Sequence, residues 1–411
     1  MLFSDKNRRF FNLAYAAAQG IYWMGFCICV AFAAVYMQYR GYSNTALGAV
    51  VALGNIAGFL LAPAVAALVD SSRRITIFHC LWATAAVQLM LFAVLMTVPG
   101  RSFATAAAYC LYIACCNLSG PLVNQLSLDL EERCCHINFG AARSVGSFAF
   151  AVTALVLGRI VESRSAAILP TAGVACTLAL SAAAALIYAR MGGAAKPVQP
   201  QQREEHAAGL YEFIRGNGRF CIVMLGMSLI FFSHNIVTGF MINVVRAVGG
   251  GTAVMGGINA FMALTELPCM ILYDRIEKRF GCAATVRFAA VMFVAKSLCI
   301  ALAGNIPVLY AANAIQAVSY AIMIPAGVCY AERYTPHKDS AKAQSIAFGM
   351  SAAGAFGASR GHGRGGRGRG GMPHLFKVRR EALTVCGAQP RYAVAAISSG
   401  TFLGSAAACT Q

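Results

Sequence analysis

Long apolar segments recur along the chain, and they constrain its fold more than any other feature. A helix needs about 20 predominantly apolar residues to cross the ~30 Å hydrocarbon core of a bilayer. Eleven segments meet or approach this length, and charged residues gather in short clusters between them. They are residues 11–37, 45–69, 75–98, 103–124, 139–161, 166–189, 219–245, 252–273, 283–303, 307–331 and 341–358. The pattern predicts an all-α, polytopic membrane protein.

The composition agrees with a protein whose solvent is largely lipid. Hydrophobic residues make up 59% of the chain and charged residues 12%, with a mean hydropathy of +0.64. Soluble domains hold about 25% charged residues. The first residues include a basic cluster, but the apolar run after it is too long for a cleavable signal peptide.

The sixteen cysteines favour a structural role. Most lie inside apolar runs, and Cys115–Cys116 and Cys134–Cys135 are adjacent pairs, which is not a metal-ligand spacing. We interpret them as small buried hydrophobic residues. No metal site is expected.

A polar stretch at residues 190–218 divides the apolar segments into six before it and at least five after it. The stretch is rich in proline, glutamine and mixed charge, which is typical of a loop. We therefore predict an N-terminal six-helix half over residues 1–189, a cytoplasmic linker over 190–218 and a C-terminal half over 219–359.

The two predicted halves carry a faint internal repeat. Asn55 precedes Asp70 by 15 residues, and Asn259 precedes Asp274 by the same distance, with a proline between the two residues in each case. Parallel repeats of six spans are one way in which secondary transporters are built.

Basic residues in the loops predict the orientation. If the N-terminus is cytoplasmic, the cytoplasmic segments hold eighteen lysine and arginine residues up to residue 359 and the opposite side holds five. Basic residues are enriched in cytoplasmic loops. We therefore expect a multi-pass protein of the inner (plasma) membrane with a cytoplasmic N-terminus.

The basic, glycine-rich tail of residues 360–411 departs from this pattern. It holds eight lysine and arginine residues and one glutamate. Arg360, Arg364, Arg367 and Arg369 would fall in an outer loop, against the charge rule. The preferred hypothesis is a shift of reading frame near residue 359. The alternatives are a disordered linker and an arginine-glycine segment that binds nucleic acid. A twelfth span at 392–409 is doubtful.

Ionisable side chains inside the apolar segments are candidates for function, because each costs at least ~2.5–3.5 kcal/mol near the centre of a membrane helix. Glu266 lies about 12 Å from Asp274 at the cytoplasmic end of its segment. Burial favours the neutral form of a carboxyl group, so Glu266 could take up and release a proton. Lys296 is also mid-segment, and Glu266 is its natural partner. The alternatives are a permanently neutral Glu266 and a Lys296 that extends to the interface.

Two further polar groups lie in the apolar segments. Asn235 and Asn243, eight residues apart, share a helix face with His234 close to it, which could form a polar stripe along a cavity. A hydrogen-bonded structural histidine is the alternative. His79 follows a basic cluster closely and is interpreted as interfacial.

The remaining candidates lie near segment ends. Arg143 lies four residues into the segment that begins at Phe139, so it could either extend to the membrane surface or face a cavity. Asp70 is followed by Arg73 and Arg74 and could pair with them as a conformational gate, the alternative being a solvated helix end.

Several enzyme classes lack support in the sequence. There is no G-x-x-x-x-G-K-[ST] motif for ATP, no H-E-x-x-H and no G-x-S-x-G. The protein is therefore not expected to be an enzyme or to hold a cofactor.

The polar residues within the apolar segments resemble those of the major facilitator superfamily, in the branch of lactose permease and the nucleoside and phenylpropionate proton symporters. "NFGAARSVGSFAF" resembles the F-G-x-x-R-x-x-G signature of helix 5, and "TELPCMILYDRIEKRFG" resembles the helix-8 pattern with its embedded glutamate. "APAVAALVDSSRR" is a poorer match to the loop-2/3 motif. The resemblance runs from about residue 5 to 359 and implies two six-helix halves around a central cavity.

The resemblance also implies roles for individual residues. Arg143 falls on the sugar-contacting arginine of helix 5, which favours a cavity-facing side chain. Glu266 falls on the sugar-contacting glutamate of helix 8, and Lys296 on an arginine of the coupling network. Asn124 occupies the place of the helix-4 glutamate that pairs with the arginine.

Other positions of the branch's proton-coupling network also differ in this chain. The acidic residues of helix 7 correspond to residues 234–238, of which none is acidic. The histidine and glutamate of helix 10 fall near Gln316 and Ser319.

Together these features predict a secondary active transporter, a proton-coupled symporter of a small polar solute that works by alternating access. The proton is the expected coupling ion, and the expected partners are the solute and the bilayer, without nucleic acid. A monomer is expected. The alternatives are an efflux carrier of the same fold and a non-transporting or inactive, frameshifted membrane protein.

Overall fold

The computed structural model describes residues 5–71, 75–192, 213 and 215–335. The eleventh predicted span, the basic tail with its doubtful twelfth span and most of the predicted linker lie outside the described residues. Arg73 and Arg74 lie outside them as well, and of Asp70 only the backbone is described, in the last turn of a helix. The predicted gate therefore stays a prediction.

The described residues form helices and no strands. Up to residue 190 the helices are α1 (Asp5–Phe26), α2 (Ala33–Tyr39), α3 (Asn44–Ser71), α4 (Ile77–Thr97), α5 (Phe103–Arg133), α6 (Phe139–Ser163) and α7 (Ile168–Arg190). From residue 218 they are α8 (Gly218–Gly239), α9 (Met241–Ala247), α10 (Thr252–Phe280), α11 (Cys282–Leu302), α12 (Ile306–Ala314) and α13 (Tyr320–Tyr334).

Ten helical segments in the described part of the chain are long and apolar enough to cross a bilayer. Each coincides with one of the first ten spans predicted from sequence, so these ten predictions are confirmed. Large apolar side chains on their outer faces are exposed, for example Leu60 at 66%, Leu225 at 62% and Ile271 at 73%. Lipid satisfies such side chains, and the chain is a multi-pass membrane protein.

Three segments that the hydropathy pattern predicts as continuous helices are broken. A π-helical turn over Cys27–Ala31 separates α1 from α2, and Phe240 separates α8 from α9. A 3-10 turn over Ile315–Ala317 follows α12. Hydropathy measures how apolar a segment is, and it does not respond to a local change in backbone winding.

Polar side chains and glycine mark several helix ends. Asn138 accepts a hydrogen bond from the Ala141 amide at 3.0 Å and caps α6. At the other end of a helix, Gly281 adopts a φ of +82° and stops α10, a conformation that favours glycine. His79, predicted as interfacial, forms a capping box with Thr76 at the start of α4.

The helices pack as two groups. Up to residue 190, α1 packs against α6 and α7, α3 against α5, and α4 against α5 and α7. In the second group α11 packs against α12 and α13, and α10 packs against α12 and α13. The groups meet mainly along α6 and α10, which form the most extensive helix–helix contact among the described residues. This arrangement positions the charged side chains described below.

The contact between α6 and α10 depends on two glycines. A Cβ atom on Gly256 would lie 2.2 Å from the carbonyl oxygen of Ala154, and one on Gly158 would lie 2.7 Å from that of Thr252. Glycine allows the backbones of membrane helices to approach this closely. The two helices are antiparallel here, because residues later in α6 contact residues earlier in α10.

A carboxylate of α6 caps α10 beside this crossing. Glu162 accepts a hydrogen bond from the Ala253 amide at 2.6 Å and from the Thr252 hydroxyl at 3.4 Å. Gly251, at the N-cap position, has no side chain that could do so. A carboxylate at a helix N-terminus also interacts favourably with the helix dipole. The cap of α10 is therefore supplied by the other group of helices.

We predict that Gly256→Ala lowers the thermal stability of the purified protein, because the added Cβ pushes α6 and α10 apart. Overpacking of this kind costs about 1–3 kcal/mol. The matched control is Gly226→Ala in α8, where no atom lies within 4 Å of the added Cβ, and where alanine is favoured by up to about 1 kcal/mol as a better helix former. Thermal unfolding in detergent measures both. Equal melting temperatures for Gly256→Ala and wild type would contradict the close crossing.

Candidate functional site

A hydrogen-bonded chain of three polar side chains lies inside the second group of helices. Gln316 is in the 3-10 turn after α12, Lys296 is midway along α11, and Glu266 is in α10. The Gln316 amide nitrogen donates to Glu266 Oε1 at 2.8 Å, and the Lys296 ammonium donates to the Gln316 amide oxygen. The chain joins three elements that are distant in sequence.

Chemistry fixes the orientation of the Gln316 amide. An ammonium group can only donate hydrogen bonds, so the Gln316 oxygen must face Lys296. The amide nitrogen then faces Glu266, whose carboxylate accepts. Gln316 thus serves a cation and an anion at once without carrying a charge.

The sequence predicts a direct pair of Lys296 and Glu266, and the structure places Gln316 between them. The family resemblance marks Gln316 only as a residue near the position of the helix-10 histidine. The 3-10 turn that positions Gln316 left no signal in the hydropathy pattern.

Lys296 is buried, with 2% of its surface exposed. Besides Gln316, its nitrogen lies 3.9 Å from the sulfur of Met262, a weak acceptor. A buried ammonium without an oxygen acceptor is strongly destabilising. Gln316 therefore supplies the oxygen acceptor that a charged Lys296 needs at this position.

Arg143 extends into the membrane and not towards the near end of its helix. Its Nη1 atom donates to the hydroxyl of Ser147 at 2.8 Å, one turn further along α6. The guanidinium carbon also lies 3.9 Å from the ring centroid of Trp23 in α1, within the range of a cation–π contact. Sequence reasoning missed Trp23, which no charge pattern or motif marks.

Arg143 and Glu266 lie on the same side of the glycine crossing and interact electrostatically. Arg143 precedes Gly158 by fifteen residues and Glu266 follows Gly256 by ten, which puts their Cα positions about 22 Å and 15 Å from the crossing along antiparallel helices. Because the Arg143 side chain extends towards Ser147, its guanidinium lies closer to the level of Glu266 along the helices than its Cα atom does. Charged side chains from both groups of helices thus lie near one another across the α6–α10 contact.

Asn124 is positioned by the first helix. Its side-chain oxygen accepts a hydrogen bond from the Gln19 amide nitrogen at 2.9 Å, and the same nitrogen donates to the Tyr15 hydroxyl at 2.7 Å. Gln19 is fully buried, and its own side-chain oxygen has no hydrogen-bond partner in the part of the chain that the structure describes. The family resemblance places Asn124 next to Arg143, whereas in the structure the two side chains have separate hydrogen-bond partners.

His234 lies in an aromatic surrounding near Lys296. Its ring centroid is 5.0 Å from that of Tyr320 and 5.5 Å from that of Phe293, which lies three residues before Lys296 in α11. Asn235, the next residue, is half-buried. His234 thus packs from α8 against aromatic rings of α11 and α13.

The predicted polar stripe from His234 to Asn243 is interrupted. The helix breaks at Phe240, and Asn243 lies in α9, where its side-chain oxygen accepts a hydrogen bond from Gln38 at 2.8 Å. Arg246 donates to the oxygen of the same Gln38 at 2.6 Å. Asn243 therefore joins α9 to α2 and does not extend the site around His234.

Known proteins share this architecture. A family model described as the MFS_1-like family matches residues 13–367. This chain belongs to the MFS_1-like family. It is a transporter of the major facilitator type, as its resemblance in sequence implied.

A maltose permease of Geobacillus stearothermophilus is a sequence relative of this transporter. It is 28% identical over 282 residues, which cover 65% of this chain and 69% of the permease.

Solved structures share the fold at low sequence identity. A variant of the nucleoside transporter NupG gives a TM-score of 0.69 at 14% identity, covering 84% of this chain and 90% of that one. A variant of the peptide transporter POT gives 0.67 at 10% identity, covering 84% and 87%. A bacterial homologue of the human lysosomal transporter Spinster gives 0.64 at 11% identity, covering 87% and 82%. At these identities the likeness shows the fold alone.

We predict that Gln316→Leu destabilises the transporter, because it leaves the buried Lys296 without its oxygen acceptor. A buried donor without a partner costs about 1–3 kcal/mol, and more when it is charged. The matched control is Gln125→Leu, at a half-buried glutamine of α5. Thermal unfolding in detergent ranks the variants, and a Gln316→Leu protein as stable as the control would show that Lys296 does not need Gln316.

Proposed function

We propose that this transporter is a proton-coupled symporter of a small polar solute. Glu266 takes up the proton, Gln316 and Lys296 hold the Glu266 side chain in place, and Arg143 binds the solute. The observation that carries the proposal is the Glu266–Gln316–Lys296 chain in one group of helices, facing Arg143 in the other.

Charge balance supports the coupling. One carboxylate, Glu266, lies near two cations, Arg143 and Lys296, without a direct ion pair to either of them. When Glu266 is ionised, it attracts the Arg143 guanidinium across the interface. When Glu266 is protonated, that attraction is lost, and the donors of Arg143 are available to an acceptor on the solute. Proton binding and solute binding then favour one another, and thermodynamic linkage makes this effect reciprocal.

The class of solute is argued from the polar groups and the relatives. Arg143 and Asn124 offer side chains suited to hydrogen-bonding a polar solute, and Asn235 adds another polar group beside His234. The relatives include proteins named as maltose, nucleoside and peptide transporters. Maltose, nucleosides and short peptides all present several hydrogen-bonding groups on a small molecule.

The proposal includes the arrangement in the membrane. Residues 1–189 and 219–359 are the two halves, joined by the cytoplasmic linker of residues 190–218, in the inner (plasma) membrane with a cytoplasmic N-terminus. The α6–α10 contact joins the halves, and their rocking about the central site exposes it to each side in turn. Asp70, Arg73 and Arg74 belong to the proposed gate at the cytoplasmic end.

The test is uptake by purified protein in proteoliposomes with an imposed inward proton gradient. Labelled maltose, uridine and dialanine are offered separately. The proposal expects accumulation of at least one solute above its external concentration, abolished by a protonophore. Downhill flux that is unaffected by the gradient would contradict proton coupling, and no flux of any of the three would contradict the proposed solute class.

We predict that Glu266→Gln abolishes gradient-driven accumulation while preserving exchange of solute across the membrane. The glutamine keeps the shape of the side chain but cannot carry the proton. The matched control is Glu132→Gln, at an exposed carboxylate near the end of α5, which should accumulate solute like the wild type. Counterflow and gradient-driven uptake are measured on the same vesicles. Wild-type accumulation by Glu266→Gln would remove Glu266 from the coupling step.

A further inference from the structure

We propose that Trp23 is a positioning residue of the solute site: its indole holds the Arg143 guanidinium by one face, so that the guanidinium edge binds two adjacent oxygen atoms of the solute. Vicinal hydroxyl groups and a carboxylate both present such a pair. The inference rests on the proposed role of Arg143 in solute binding, and it does not depend on proton coupling.

The geometry of the contact leaves the donors of Arg143 in place for a ligand. All five N–H groups of a guanidinium lie in its plane, and stacking on an aromatic ring occupies only the face of that plane. The guanidinium carbon lies 3.9 Å from the Trp23 ring centroid, and one N–H is used by Ser147. The rest of the fork stays suited to paired oxygen atoms.

Trp23 is held in position by its neighbours. A Cβ atom on Gly146 would lie 2.5 Å from Cδ1 of Trp23, so the glycine makes room for the indole against α6. The Phe26 ring lies 5.0 Å from the indole and the Phe150 ring 6.5 Å from it, between centroids. Gly146 is also the second glycine of the stretch that resembles the F-G-x-x-R-x-x-G signature. The sequence thus places the arginine and the space for its aromatic partner on one helix.

The absence of a carboxylate partner distinguishes this contact from ordinary structural pairing. Among the side chains that the structure describes, no carboxylate lies within ion-pair distance of Arg143. A buried arginine that serves stability alone is normally paired with an anion. The indole instead stabilises the positive charge without using its donors, and the half-buried Trp23 keeps the group oriented until a solute arrives.

The chain offers a direct spectroscopic test, because it contains two tryptophans. Trp82 lies in α4, donates to the carbonyl oxygen of Ser181 at 3.3 Å and packs against Phe78 and Tyr188. In the Trp82→Phe protein, Trp23 is the remaining tryptophan and reports on the Arg143 contact. The first expected result needs no ligand: adding Arg143→Gln to this background should shift the emission of Trp23. Identical spectra would show that the contact is absent.

The second measurement titrates the Trp82→Phe protein in detergent with maltose, uridine, 2′-deoxyuridine, dialanine and dialanine amide. We expect a saturable change in Trp23 emission with maltose, uridine or dialanine. Removing the second oxygen should weaken binding about ten-fold or more. A loss confined to 2′-deoxyuridine identifies vicinal hydroxyls as the bound pair, and one confined to dialanine amide identifies a carboxylate. No response to any of these probes, or equal binding within both matched pairs, would overturn the proposal.

The third measurement separates positioning from a merely structural role. Trp23→Phe keeps an aromatic face for Arg143, and Trp23→Leu removes it. We expect the leucine variant to raise KM for the transported probe by roughly 2- to 30-fold with little change in kcat, and the phenylalanine variant to recover most of this loss. Equal KM values for Trp23→Leu and wild type would refute the role of Trp23. Because the titrations use no proton gradient, failure of proton coupling would leave them unaffected.

Discussion

The cost of a charge inside a membrane determines how the centre of this protein is organised. Lys296 cannot be buried in the middle of α11 without an oxygen acceptor. Gln316 supplies it, and the 3-10 turn after α12 places Gln316 where its nitrogen can also reach Glu266. One buried ammonium is thus connected through a bridging amide, placed by a break in a helix, to a carboxylate on a third element.

The close contact between α6 and α10 determines how the two groups of helices face one another. Two glycines bring the backbones together at one end of the pair. On the same side of that crossing, α6 carries Arg143 and α10 carries Glu266, close enough to interact. The arginine is supported by an aromatic ring and a hydroxyl instead of an anion. The site therefore combines a closely packed helix crossing with two charged side chains, Arg143 and Glu266, that form no ion pair with each other.

The sequence predicted the parts of the fold that depend on composition over a long window, and it missed those that depend on single contacts. All ten spans in the described residues follow from hydropathy, and the matching arginine motif predicted the family. Because of the break at Phe240, Asn243 contacts Gln38 and does not line up with His234. The prediction from helical periodicity assumes an unbroken helix. The Trp23–Arg143 contact joins α1 to α6, and one sequence without an alignment holds no signal for such a pair.

The cap that Glu162 places on α10 has a consequence for movement. The Thr252 hydroxyl and the Ala253 amide receive their acceptor from a different group of helices. Glu162 is exposed and lies in the last turn of α6, and Thr252 and Ala253 lie in the first turn of α10. If α10 and α6 separate, these donors and the carboxylate lose each other, and water at the helix ends can hydrate each of them. Separation at this end thus exchanges a cap between helices for hydration, and the hydration of one carboxylate and one helix terminus contributes to its free energy.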